Sequence, residues 1–370
     1  MNRLYLDHNA TAPLRPVAAS CFSTMAQANP SSVHGDGRKA RREVENVRGL
    51  IADIAGMAPR NVIFTSGGTE ANAMAILGAD VDVLLVGATE HPCVLATAEY
   101  LTSKGVQVEE VPVTSDGLVD VSYLEQRILV HQGRKTMLAL MALNNETGVA
   151  HDLVSISAMA RQYDVWLHVD AVQIFGKMPI QSWAWGANSI ALSAHKFGGP
   201  QGVGALLVRD DCQLQPLLMG GGQEMGRRAG TENMVGIAAM GAALKASQNE
   251  REHLDALVMR MREHEQKLLQ FGVQIAGFYA NRPLPVSCLV HPSIEAQLQL
   301  IKADMAGFSV SSGSACSSGK VAPSHVLTAM GFDGKASLSA LRLSGGWSTS
   351  LADIDQFFEF YVHALCSHRG

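Results

Sequence analysis

Ser189-Ile190-Ala191-Leu192-Ser193-Ala194-His195-Lys196-Phe197-Gly198-Gly199-Pro200 decides the reading of this chain. The apolar run passes into Ser-Ala-His-Lys and a Gly-Gly-Pro break, so it reads as a buried strand that delivers a lysine to a sheet edge. A lysine leaving a buried strand between His and Gly is poorly explained as a solvated charge. It is well explained as an amine held where it can form a Schiff base with an aldehyde cofactor. About two dozen residues earlier, Val165-Trp166-Leu167-His168-Val169-Asp170 is a second apolar strand, and it ends in a carboxylate. Strand-Asp followed by strand-Lys points to pyridoxal phosphate, with Asp170 on the pyridinium nitrogen and Lys196 on the aldehyde carbon.

The pattern on either side agrees. Short apolar runs recur at 62–65, 83–86, 106–109, 137–140, 165–169, 189–192 and 204–208, with helical patterns at 71–77, 94–103 and 155–163 between them. Such alternation predicts an α/β fold with a mostly parallel sheet, and 204–208 follows the lysine strand closely enough to be its antiparallel neighbour. Near Ser247 the character changes. A charged amphipathic helix at 252–270 links to shorter strands at 273–276, 286–290, 308–311 and 340–344 and a helix at 351–365, a smaller α+β domain.

Bulk properties exclude several classes. With 370 residues, 47% of them hydrophobic, the chain can bury a large core and carry two domains. The net charge is −5 and no Lys/Arg run is long, so nucleic acid and anionic membranes are not expected partners. Cysteines 21, 93, 212, 288, 316 and 366 form no CxxC pair or zinc spacing, so no intrinsic metal site is expected and free thiols in a reducing cytoplasm are the default. No apolar stretch is long enough to span a bilayer.

Further motifs cluster where strands end. Ser66-Gly67-Gly68-Thr69-Glu70 follows a strand and opens a helix, where backbone N–H groups, a hydroxyl and the helix dipole suit a phosphate; an ordinary N-cap uses the same residues. His91, just past a strand, can stack on a cofactor ring and relay protons, or serve as a hydrogen-bonded loop histidine. Asn145, in Asn144-Asn145-Glu146-Thr147-Gly148, and Gln173, three residues beyond Asp170, offer amides to a ring oxygen or act as turn and cap residues. Arg342, a charge inside an apolar strand, either grips a substrate carboxylate or joins a structural ion pair. Gly220 to Glu224 and Arg227 to Asn233 form a Gly-rich basic stretch that can complete a phosphate site or stay solvated.

Ser311-Ser312-Gly313-Ser314-Ala315-Cys316-Ser317-Ser318-Gly319 has almost no bulk. That composition predicts an exposed, mobile loop, which a thiol acting as nucleophile or carrier requires. Cys93, two residues from His91, competes for the role; the helix that starts there can lower its pKa, although a small buried residue also fits.

Together these stretches, with Leu6 to Thr11 and Asn29 to His34, resemble the cysteine desulfurases of the NifS/IscS type, in the long-loop group of the class V aminotransferase family. The resemblance implies an aspartate aminotransferase-like PLP-dependent transferase fold: a large domain at 16–247, and a small domain at 1–15 and 248–370 that carries the cysteine loop. It implies that Lys196 bonds the cofactor, Asp170 pairs with its ring nitrogen and His91 stacks on it. Gly68, Thr69, Ser193 and His195 would hold the phosphate, joined by Thr231 from the other subunit of a homodimer. Asn145 and Gln173 would contact the ring, and Arg342, with Asn145, the substrate carboxylate. Cys316 would receive sulfur from L-cysteine, pass it to an acceptor such as an iron–sulfur scaffold, and transiently ligate a nascent cluster there. Ala12 and Ser344-Gly345-Gly346 depart from the family pattern, and the short stretch after the last helix is expected to lack the longer tail used to engage a scaffold. The residues leave open selenocysteine lysis or small amino acid transamination on the same fold, and a non-enzymatic persulfide carrier.

Overall fold

A computed structural model gives the fold and describes residues 3–25, 28–180, 186–313 and 322–367. Strand β1 (Leu4–Tyr5) and helices α1 (Pro16–Thr24) and α2 (Gly35–Ala55) precede a regular alternation. It runs β2 (Val62–Thr65), α3 (Gly68–Gly78), β3 (Val83–Gly87), α4 (Pro92–Ser103) and β4 (Gln107–Val111). It continues through α5 (Val121–Val130), β5 (Thr136–Met141), α6 (Leu153–Gln162), β6 (Trp166–Asp170) and β7 (Ser189–Ser193). Strand β8 (Gly204–Val208) and helix α7 (Met234–Ser247) close this part.

Strands β2 to β8 form one seven-stranded sheet in the order β2-β8-β7-β6-β5-β3-β4. The run from β4 to β7 is parallel, whereas β8 is antiparallel to both β7 and β2. The strand at 204–208 therefore lies where its short connection to the lysine strand requires. Strands β2, β3, β5, β7 and β8 are buried along their whole length, as continuous apolar runs must be when helices cover both faces.

The remainder is α8 (Arg251–Leu268), β9 (Gln274–Ile275), β10 (Val286–Val290), α9 (Ala296–Met305), β11 (Phe308–Ser309) and β12 (Ser311–Ser312). Then follow α10 (His325–Ala329), α11 (Gly334–Ser337), β13 (Ala340–Ser344) and α12 (Leu351–Cys366). An antiparallel sheet has the order β12-β13-β10-β9. Helix α8 buries Leu254, Leu257, Met261 and Leu268 and packs on α12 and β10.

One expectation needs correction. The strand expected at 308–311 is two strands that serve different sheets: β11 pairs in parallel with β1, and β12 pairs with β13. Apolar content marks the segment as extended but cannot say that its two halves have different partners. The β1 end is tied in further, because His8 N–H donates to Ser344 O and Asn9 N–H donates to Ser344 Oγ at 2.8 Å. Among the described residues no helix is long and apolar enough to cross a membrane.

Candidate active site

A cleft of about 250 Å³ opens where β5, β6 and β7 end. Its lining includes Gly68, Thr69, His91, Asn145, Asp170, Gln173, Ser193, His195 and Lys196. Nine of the twelve expected site residues thus meet in one place. Cys316 lies outside the described residues.

Lys196 sits on a single 3-10 turn, Ala194–Lys196, directly after β7. Its Nζ donates to the carbonyls of Asn9 (2.6 Å) and Ala10 (2.9 Å). Burial, with the Arg342 charge next in weight, pushes its pKa down to about 8. The amine therefore sheds its proton far more easily than a surface lysine. Asp170 closes β6 and is buried; Asn72 Nδ2 donates to its Oδ2 at 2.7 Å and Val172 N–H to its Oδ1 at 2.9 Å. Burial raises its pKa, while these donors and the charges of His91 and Lys196 pull the other way.

The third wall is the turn between β2 and α3. Helix α3 begins at Gly68 with no side-chain cap, so first-turn N–H groups are left for an anion. Gly68 is required there, since a Cβ would lie 2.6 Å from Val172 Cγ2. Gly204, opposite Thr65 and Ser193 in the two ladders, is required for the turn to fold over the sheet edge. A Cβ at 204 would lie 2.5 Å from Leu192 O and 2.8 Å from Gly67 Cα.

His91 caps α4 and its Nδ1 accepts from Cys93 N–H, so the ring carries its neutral-form proton on Nε2. The residue is exposed toward the cleft, while partial desolvation lowers its pKa. Gln173 Nε2 donates to Asn9 O at 2.9 Å, and its buried Oε1 has no partner among the described residues. His195 Nδ1 lies 3.1 Å from Thr11 Oγ1.

Other expectations fare differently. Cys93 lines the cleft, but burial followed by the Asp170 charge pushes its thiol up to about 11, opposite to the lowering expected from the helix start. It is a poor nucleophile. Arg342, in mid-strand β13, already has a structural ion pair: Nη2 donates to Asp7 Oδ1 at 2.8 Å and Nη1 to Asn145 O at 3.2 Å. Its buried Nε has no partner among the described residues, so one donor of the fork is uncommitted. In the Gly-rich stretch, Arg228 pairs with Glu70 at 2.8 Å, Arg227 donates to Arg60 O and Glu224 is buried against Arg48. None of these basic side chains lines the cleft. Thr231 is exposed and outside the cleft of its own chain.

Four residues carry weight that the sequence reading did not assign. Asn9 supplies the carbonyl that Lys196 and Gln173 share, Asn72 and His168 stand behind Asp170, and Glu146 is buried beneath Arg342's neighbourhood with Ser324 Oγ donating to it at 2.6 Å. His168 had a visible signal: it alternates with Asp170 on one face of a strand.

A planar pyridine carrying an aldehyde and a phosphate fits this donor set. An uncapped helix start without room for a side chain faces one end, a buried carboxylate another, and an amine of lowered pKa lies between. Residues 4–357 match the family described as Aminotransferase class-V. The chain belongs to that family. Among curated relatives, the cysteine desulfurase of Cereibacter sphaeroides is 37% identical, with 97% of this chain and 95% of the relative covered. The IscS-like cysteine desulfurase of Mycobacterium tuberculosis is 34% identical over 99% and 97% of the two chains. A NifS-like protein from Rickettsia africae superposes with a TM-score of 0.87 at 33% identity, covering 97% of this chain and 98% of that one. Class V aminotransferases and NifS-like proteins share a PLP-dependent fold, and the mixed sheet described above is that fold.

Proposed function

We propose that the protein is a pyridoxal-phosphate-dependent cysteine desulfurase that converts L-cysteine to L-alanine and leaves the sulfur as a persulfide on Cys316. The observation that carries this reading is the meeting of Lys196, Asp170 and His91 in one cleft beside a phosphate-ready helix start, in a chain whose relatives bear that name.

When bound, pyridoxal phosphate supplies an electron sink for the carbanion that forms at the substrate Cα. Gly68, Thr69, Ser193 and His195 hold its phosphate, with Thr231 of a second subunit reaching in. His91 would stack on the ring, Asn145 and Gln173 would contact it, and Asp170 as a carboxylate would keep the ring nitrogen protonated. Lys196 is the anchoring amine and then the base for the Cα proton, a task its lowered pKa suits. Arg342 would take the substrate carboxylate on its guanidinium by exchanging its contacts with Asp7 and Asn145 O, since its unpartnered Nε is buried. Cys316 as thiolate attacks the substrate Sγ: an S–S bond forms, the C–S bond breaks with its electrons going to carbon, and protonation of that carbon yields alanine. The balance is L-cysteine plus thiol to L-alanine plus persulfide.

The small domain, 1–15 with 248–370, would carry both Arg342 and Cys316 over the cleft of the large domain, 16–247; the pairing of β1 with β11 supports this division. The persulfide would pass in the cytoplasm to an acceptor such as an iron–sulfur scaffold. The test is Cys316→Ser. With L-cysteine the variant is expected to change the cofactor absorbance as wild type does, yet make alanine at least about 100-fold more slowly. Wild-type alanine output would overturn the role of Cys316.

A further inference from the structure

We propose that Trp166, Ser189, His168 and Asn72 form a one-way hydrogen-bond chain that positions Asp170, keeping an amide donor turned toward the carboxylate that serves the cofactor's ring nitrogen. The inference rests on the role proposed above for Asp170, but the chain itself stands on geometry. Trp166 Nε1 donates to Ser189 Oγ at 2.9 Å, Ser189 Oγ lies 2.9 Å from His168 Nδ1, and His168 Nε2 lies 2.9 Å from Asn72 Oδ1. Asn72 Nδ2 then donates to Asp170 Oδ2 at 2.7 Å.

The direction of every link follows from its ends. An indole N–H only donates, so Ser189 Oγ accepts from Trp166; at the other end Asp170 as a carboxylate only accepts, so Asn72 turns Nδ2 to it and Oδ1 to His168. Oδ1 only accepts, so the neutral imidazole carries its proton on Nε2 and its Nδ1 accepts from the Ser189 hydroxyl. The Asn72 amide is thereby locked with both N–H bonds outward, one to Asp170 and the other to Cys93 Sγ at 3.7 Å. Turned over, it would set its oxygen against the carboxylate, an acceptor facing an acceptor. His168, Asn72 and Ser189 are all at most 1% exposed, so water cannot substitute for a missing link. Burial pushes the His168 pKa down to about 3, consistent with a neutral ring.

The fold sets the chain by simple periodicity. Trp166, His168 and Asp170 share one face of β6, and Ser189 stands opposite His168 in the parallel ladder with β7. Helix α3 packs across this face and supplies Asn72. These are positioning residues, since none but Asn72 lines the cleft.

The test begins without cofactor. In cofactor-free protein labelled with ¹⁵N-histidine, His168, assigned from its loss in His168→Gln, is expected to be neutral with the proton on Nε2 throughout about pH 5–9. A proton on Nδ1, or titration within that range, would overturn the chain. Trp166→Phe removes only the outermost donor and is expected to leave the proton on Nε2, because Asp170 and Asn72 set it; a shift of the proton to Nδ1 would overturn that direction. Pyridoxal phosphate binding to the cofactor-free protein is then expected to weaken about tenfold or more in His168→Phe and to recover to within about threefold in His168→Gln, whose amide can still donate to Asn72. A merely structural role would lower thermal stability in both variants and leave affinity unchanged, and that result would also overturn the proposal. If wild type itself did not bind pyridoxal phosphate, the reading of the cleft would fail, while the tautomer measurement would still decide the chain.

Discussion

The two sheets hold charge in different ways. On the seven-stranded sheet, Asp170 and Lys196 stand at the ends of adjacent parallel strands, and each has its partners: two donors on the carboxylate, two carbonyls on the amine. On the antiparallel sheet, Arg342 lies in the middle of a strand, borrows its counter-ion from Asp7 and keeps its Nε unmatched. The first arrangement is rigid because the ladder sets it. The second leaves one buried donor unmatched.

Three substitutions sharpen or break this contrast. Lys196→Ala removes the amine from the completed side and is expected to lower alanine formation by about 10²–10⁴-fold, with no yellow cofactor band after purification; an unchanged band would refute the lysine's role. Arg342→Lys replaces the fork by a point charge on the unfinished side. Its expected signature is a KM for cysteine raised about 10- to 100-fold, the equivalent of the about 1.5–3 kcal/mol carried by charge-assisted hydrogen bonds, with a smaller fall in kcat. A lower kcat at constant KM would move Arg342 from substrate binding to a purely structural part.

A stability effect, not a kinetic one, belongs to Glu146, whose pKa burial pushes up to about 7 from an ordinary 4.5. In the folded state this carboxyl keeps its proton in a range where the unfolded chain has lost it. Folding therefore binds a proton between pH 4.5 and about 7, and the stability this group contributes is full below 4.5 and drains away as pH rises. Glu146→Gln is expected to remove a slope on the order of 1.4 kcal/mol per pH unit, seen in denaturant midpoints measured across that window. Equal slopes in both proteins would show that Glu146 is ionised when folded.

The contrast also explains what could be read from the chain alone. In a parallel sheet, a polar side chain at a strand's end sits directly after an apolar run, so Asp170 and Lys196 announce themselves by position. The turn at Gly68 follows the same logic. The antiparallel side offers no such marker: Asp7 and Arg342 are 335 residues apart, and nothing local to either names the other. The same distance hides the split at 308–311, where β11 answers to β1. Cys93 misleads for a third reason. A helix start favours a thiolate, but the desolvation and the Asp170 charge that outweigh it come from tertiary packing. The helices α1, α2, α5, α7, α9, α10 and α11 lie outside the alternation read from the chain, although α2 carries an apolar stripe at Ala40, Val44, Val47 and Ile51 that marks it.

Asn9 has a consequence for biosynthesis. Its carbonyl receives Lys196 and Gln173, and its own amide is held by Ser344, 335 residues further on. A ribosome therefore finishes the seven-stranded sheet before it has made the residue that fastens Asn9 in place. Until Ser344 clears the exit tunnel, the backbone of Asn9 lacks that tie, although its side chain already has a partner in Asn145 O.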